Sequence, residues 1–389
     1  KSVKPLIELL LKDKESSVRV SAAYSLAYFP DPEVEEALIK ALKDPEPTVR
    51  AAAVSSLNGM TPAVVSHLIN AMNDEDENVR ASIATVLAGF NSEKEVMEAL
   101  IKAMKDKSPS VRSAAAYSLG VYTNNEKVKE VLLAGVDDKD TTVRTAVITS
   151  LANYSDEKII TKLINLLTKE ADKNVRSSII SSLTATGSDK AKEAFIKILK
   201  EDINGDVRAS AASNLGYWQN DPDGIIWKAL MEALNDTYPA VRASAVHGIG
   251  YLSSISEGSM DQVVPILIRL LHEDEDDNVR YASAMSLGTL NSPDALNPLL
   301  KALKKDPSPT VRAGVVSSLY YFKDEGIRDN IITALRDEAS EVRSAAIYAL
   351  SVSGDKDTIK LLMPLLNDED YTVRATAIGS IGQHIANGI

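Results

Sequence analysis

Apolar residues recur along this chain at three- and four-residue steps, stop at a short polar turn, and resume the same spacing on a second segment. In one copy the first stripe is Val34-Glu-Glu-Ala-Leu-Ile-Lys-Ala-Leu42, and the second is Val49, Ala53, Val54 and Leu57. Such spacing predicts two amphipathic helices joined by a turn, here called helix A and helix B. The unit recurs twelve times. With each Val-Arg as origin, the arginines fall at 19, 50, 80, 112, 144, 176, 208, 242, 280, 312, 343 and 374. A period of 30–38 residues sustained over a whole chain predicts a stack of repeats.

The register is strict. Six residues before the Arg stands Asp in eleven copies and Glu170 in the twelfth. Leu or Ile occupies the position twelve before it and the position seven after it, and the residue two after it is small throughout. Two residues before the Arg, ten copies carry Ser, Thr, Asn or Asp, which predicts the start of helix B with that residue as N-cap. A cation in the first helical turn opposes the macrodipole. The Asp six residues upstream is placed to supply the compensating carboxylate, in pairs such as Asp44 with Arg50, Asp106 with Arg112, Asp138 with Arg144, Asp236 with Arg242 and Asp306 with Arg312.

Asp followed by Arg six residues later, at the turn of a two-helix repeat of about 31 residues, resembles HEAT repeats. The wording Asp-Pro-x-x-Val-Arg-x-x-Ala-x-x-x-Leu resembles the subgroup named after phycobilisome lyases. The resemblance covers essentially the whole chain. It implies an all-α, right-handed α-solenoid of about twelve HEAT-like helix pairs with no β-sheet, its Asp and Arg residues stacked as a structural ladder. It implies no single activity, because the family includes scaffolds, adaptors, bilin lyase subunits and iron hydroxylases.

Length then changes meaning. A chain of 389 residues would ordinarily suggest two or three domains, but a solenoid buries one continuous strip, so 1–389 reads as a single domain. A net charge of −12 argues against a nucleic-acid surface. There is no cysteine and no run of 18 apolar residues, so the expectation is a soluble, cytoplasmic protein without thiol chemistry or membrane contact. The first helix (Leu6, Ile7, Leu9, Leu10, Leu11) and the last (Ile378, Ile381, Ile385) lack a polar capping repeat. They predict end-to-end contact, or a place inside a longer protein.

Candidate chemistry is sparse. His67, His247, His272 and His384 are scattered, and His272-Glu273 is a single pair where the iron hydroxylases of this fold use several. Asp221-Pro-Asp-Gly224 begins like a calcium loop, but Leu230 stands where the bidentate Glu belongs. Ser155-Asp-Glu-Lys158 lacks the companion motifs of a Ser-Lys enzyme. No enzyme, cofactor or metal is expected.

One surface does carry a signal. On a helical projection, the positions five and nine after the Arg point away from the apolar stripe. Over twelve repeats these 24 residues include no charge and seven of the thirteen tyrosines: Tyr24, Tyr28, Tyr117, Tyr217, Tyr251, Tyr321 and Tyr348. The position one after the Arg, which includes Tyr281, is also uncharged throughout. Tyr, Ser, Gly and Asn on a presented face are the composition of a protein-binding surface. The period stretches to 34 and 38 in repeats 7–9, where longer connections near 219–224 and 253–261, Trp218 and Trp227 all fall. Tyr217, His247, Tyr251, Tyr281 and Met285 are the expected focus. The chain therefore reads as a non-enzymatic scaffold or adaptor that holds a protein or peptide along a concave groove. The alternative is a bilin-lyase-like or chaperone subunit that binds an aromatic small molecule there.

Overall fold

The computed structural model describes residues 3–154, 156–218, 221, 223–255, 260–322, 325–353 and 357–386. Among them are 24 α-helices, twelve A/B pairs in chain order, and no strand. No helix among the described residues is long and apolar enough to cross a membrane. The helices gather into two compact units, Lys1–Ala191 and Lys192–Ile389.

Repeat 4 shows how sequence becomes structure. Helix A, Lys94–Ala103, buries Val96, Leu100 and Ala103 and turns its lysines and glutamates outward. Helix B, Pro109–Leu119, opens on a proline whose missing N–H would have had no helical partner anyway. Its Val111, Ala115, Ala116 and Leu119 are fully buried against helix A and the neighbouring repeats. Each buried leucine contributes about 2 kcal/mol by leaving water.

Helix B begins earlier than the sequence pattern suggests. The caps stand four residues before the Arg, not two: Asp76, Asp140, Asp172, Asn204 and Asp276 accept backbone N–H bonds from the first turn with their side chains. Asn78, Thr142 and Asn174 are the residues whose N–H groups are capped. The physical reason is that the turn is only a few residues long, so the first short acceptor able to fold back on the helix takes the role.

Consecutive B helices are stitched by buried serines six positions after the Arg. In the first unit Ser118 Oγ donates to Ala84 O (2.8 Å) and Ser150 Oγ to Ala116 O (2.9 Å). In the second unit Ser318 Oγ donates to Ala284 O at 2.8 Å. At these three positions serine satisfies its hydroxyl while keeping the helices close; a larger side chain would force them apart. Ten positions after the Arg, aromatic rings close the core: Phe90 and Tyr154 in the first unit and Trp218 in the second are buried. Trp218 stands edge-on to Phe195 at 6.0 Å between ring centroids, so this tryptophan is core.

Candidate functional site

The repeated Arg makes the same bonds in most repeats, while Arg374 in the last described repeat bonds the carbonyls of Asp368 and Glu369. Arg112 Nε and Nη2 each donate to one oxygen of Asp138 at 2.8 Å, and Nη1 donates to the carbonyls of Asp106 (2.8 Å) and Lys107 (3.2 Å). The arrangement links Arg19–Asp44, Arg50–Asp74, Arg80–Asp106 and Arg144–Glu170 in the first unit. In the second it links Arg208–Asp236, Arg242–Asp274, Arg280–Asp306, Arg312–Asp337 and Arg343–Asp368.

This corrects the pairing expected from sequence. Arg50, Arg112, Arg144, Arg242 and Arg312 take only a backbone carbonyl from Asp44, Asp106, Asp138, Asp236 and Asp306 of their own repeat. The carboxylate comes from the following repeat. The guanidinium has enough fixed donors to bridge both, and each carboxylate also accepts the N–H two residues on, as Asp138 does from Asp140 at 2.9 Å. The pairs are mostly buried and bidentate, and they join repeat to repeat.

Those bonds predict an acid response. The Arg112 fork holds Asp138 below the usual carboxylate range against the opposing push of burial, and Arg80 does the same for Asp106 and Arg343 for Asp368. A depressed folded pKa stabilises fully above the unfolded value of about 4. That contribution is lost as pH falls through the folded values. Urea unfolding should show little loss of stability from these groups between neutrality and about pH 5, then a steep loss below about 4. Stability that held or rose on that descent would contradict the ladder's role.

The uncharged rows of helix B are open to solvent. Tyr24, Tyr28 and Tyr117 in the first unit and Tyr217, His247, Tyr251, Tyr321 and Tyr348 in the second are all exposed, while Tyr281 and Met285 are half-buried. Tyr321 meets Tyr320 edge-on at 5.8 Å.

In the second unit, Tyr217, His247, Tyr251, Tyr281 and Met285 come together as the lining of one cleft of about 440 Å³. Its walls belong to three consecutive B helices, Gly205–Gly216, Pro239–Ile255 and Asp277–Leu290. The Tyr217 and Tyr251 rings meet at 5.9 Å with a tilt of 57°. Ser213, Ser244 and Thr289 supply hydroxyls, and no charged residue lines the cleft. His247 stays open to solvent at its surface, yet crowding by protein around it lowers its pKa below the ordinary value.

The floor is made by residues the sequence reading passed over. Gly216, Gly248 and Gly250 line it, and Gly216 and Gly250 stand eight positions after the Arg, as Gly288 does in the next repeat. A Cβ on Gly216 would lie 2.5 Å from the Cα of Gly248, and one on Gly250 would lie 2.7 Å from the Cβ of Ser286. These B helices therefore touch backbone to backbone, and the larger side chains on either side rise as walls. Gly314 makes room for the Tyr281 ring, which a Cβ there would meet at 2.5 Å. A tabulation of that glycine position would have exposed the cleft floor.

The longer connection near 253–261 is partly helical. Residues 253–255 complete the helix Pro239–Ile255, and Met260–Glu273 follows, so 253–255 and 260–261 are helical. Positions 219, 220, 222 and 256–259 lie outside the described residues, as does Ser155. Asp221 is a helix cap, accepting N–H bonds from Ile225, Ile226 and Trp227. At the termini, Leu9, Leu11, Ile378 and Ile385 are exposed.

Comparison with known proteins agrees with this architecture. The chain matches the pattern of HEAT repeats over residues 3–64, 65–152, 130–216, 228–319 and 296–382. It is 31% identical over 153 residues to Protein YibA of Escherichia coli (strain K12), across 39% of this chain and 54% of that protein. The chain thus spans about half the length of the curated relatives it matches. Among solved structures it is similar to Kap95p with RanGDP (TM-score 0.70, 15% identity, 98% of this chain and 62% of that one). It is also similar to importin beta (0.66, 15%, 98% and 62%) and to Kap121p bound to Pho4p (0.58, 15%, 99% and 51%). At such identities the likeness is one of fold. With the repeat pattern matched along most of its length, the chain belongs to the HEAT-repeat family.

Proposed function

We propose that the chain is a non-enzymatic scaffold that holds a protein or peptide on the exposed face of its B helices, anchored in the cleft of repeats 7–9. The observation that carries this reading is the gathering of Tyr217, His247, Tyr251, Tyr281 and Met285 around one uncharged cleft. Rigid amphipathic rings offer contact area at low entropic cost, and aromatic anchors in desolvated pockets dominate interface energies. Similar folds support a polypeptide partner: Kap121p is known bound to Pho4p and to the extreme C-terminus of the phosphatase Cdc14p.

The test is the double variant Tyr217→Ala/Tyr251→Ala, measured against peptides selected from a random display library on the native protein. Affinity should fall at least about tenfold, or about 1.4 kcal/mol. The melting temperature should hardly move, because Tyr217 is 67% and Tyr251 39% exposed. Unchanged affinity for every selected peptide would place the working surface elsewhere. The cleft volume of about 440 Å³ also suits a small aromatic ligand. A visible chromophore that co-purifies with the native chain and is lost from the double variant would favour that reading.

A further inference from the structure

We propose that the cleft of repeats 7–9 takes an arginine side chain presented by the partner polypeptide. This deepens the preceding reading and rests on the helix-B face being the binding surface. Three independent features favour a cation there. Residues 192–290, the repeats that carry the cleft, hold eight Lys and Arg against fifteen Asp and Glu, a net −7 of the chain's −12, while the lining itself is uncharged. A cleft with low-dielectric walls concentrates such a field.

The second feature is helix polarity. Gly216 ends the helix Gly205–Gly216 and Tyr217 is its C-cap; Thr289 is the penultimate residue of the helix Asp277–Leu290. One edge of the cleft, at Tyr217 and Thr289, thus lies beside the negative ends of two macrodipoles, where cations are stabilised, while Tyr281 lines the opposite edge near a helix start. The third is the rings. Tyr217, Tyr251 and Tyr281 present three aromatic surfaces to the cleft, and a guanidinium stacked on such a face is attracted by the ring quadrupole.

Arginine is preferred over lysine because no carboxylate lines the cleft. An ammonium is strongly hydrated and would lose water without a charged partner, whereas the planar guanidinium is weakly hydrated, stacks on aromatic faces, and can still donate to Ser213, Ser244 and Thr289. His247, its pKa held low by crowding, adds no competing positive charge at neutral pH. An acidic side chain meets the opposite field and finds no donor cation in the lining.

The experiment follows the Met285 methyl group by NMR while acetyl-Gly-Arg-Gly-amide, its lysine counterpart and its citrulline counterpart are titrated into the full chain. Citrulline keeps the shape of arginine and removes the charge. A saturable shift with the arginine probe is expected, about tenfold weaker with citrulline. It should weaken as salt rises from about 0.05 to about 0.5 M and vanish in Tyr217→Ala/Tyr251→Ala. Equal responses to arginine and citrulline, or no saturable response to arginine, would overturn the assignment. If library peptides still lose affinity in the double variant without any arginine preference, the arginine assignment falls and the surface stands. If that variant changes neither measurement, both fall.

Discussion

Arg144→Ala should destabilise the first unit by about 3 kcal/mol, the order expected when one member of a buried ion pair is removed. Arg144 holds Glu170 through two bonds of 2.8 and 2.9 Å and also bonds the carbonyl of Asp138 at 2.8 Å. The side chains of Arg144 and Glu170 are 14% and 6% exposed. Burial pushes Glu170 toward its neutral form; the Arg144 fork and the N–H of Asp172 outweigh it and hold its pKa low. Without Arg144 the stranded group is Glu170, in the next repeat, and not Asp138, which keeps Arg112.

Two signatures separate this from a general loss of packing. Because a repeat contacts only its neighbours, amides of repeats 5 and 6 should lose hydrogen-exchange protection before the rest of the first unit. In addition, burial without the arginine raises the folded pKa of Glu170 above its unfolded value of about 4.3. Its protonation then favours the folded variant, so the deficit against the native protein should begin to narrow above about 4.3, as this group takes its proton, and go on narrowing below that pH as native Glu170 is protonated. A uniform loss of protection, with a deficit independent of pH, would rule out the pairing.

Gly288→Ala is the second large effect, and here local and tertiary preferences have opposite signs. Inside a helix, alanine is favoured over glycine by about 1 kcal/mol. A Cβ at 288 would lie 2.7 Å from Ser318 Cβ and 2.8 Å from Ser318 Cα, so the next B helix must move. Overpacking against backbone costs about 1–3 kcal/mol, and a net destabilisation of about 2 is expected. Gly379→Ala is the control: it lies within the helix Tyr371–Ala386 with nothing within 4 Å of its would-be Cβ. That variant should be stabilised by up to about 1 kcal/mol. Urea midpoints moving in the same direction in both variants would show that helix contact at Gly288 is not what the glycine serves. Gly288→Ala should also weaken binding in the cleft, since forcing the two helices apart shifts Asp277–Leu290, which carries Met285 and Thr289, as well as its neighbour.

Much of this protein is legible in its residues because a helix advertises itself locally. Apolar spacing marked the buried faces, so Leu100, Val111 and Leu119 fall in the core as their positions require. Tyr217 and Tyr251 are exposed as the projection of their positions requires, whereas Trp218, one residue after Tyr217, packs on Phe195. Insertions in repeats 7–9 drew attention to the stretch where the cleft lies, although 253–255 and 260–261 of the longer connection prove helical.

Other features depend on how one repeat stacks on the next. The spacing between Asp138 and Arg144 is a fact about one repeat; that Arg144 reaches Glu170 while Asp138 serves Arg112 depends on stacking register. Asn78 has the chemistry of a cap, but turn geometry gives that role to Asp76. Gly216, Gly250 and Gly288 look like ordinary helix-weakening residues until a neighbouring backbone is found within reach of each missing Cβ. Periodicity along the chain therefore determined the helices, their buried faces and the uncharged row. Only the packing of helix on helix decided which charges pair, where the backbones touch and where a cleft opens, because those are set by distances between residues some thirty positions apart, which no single helix encodes.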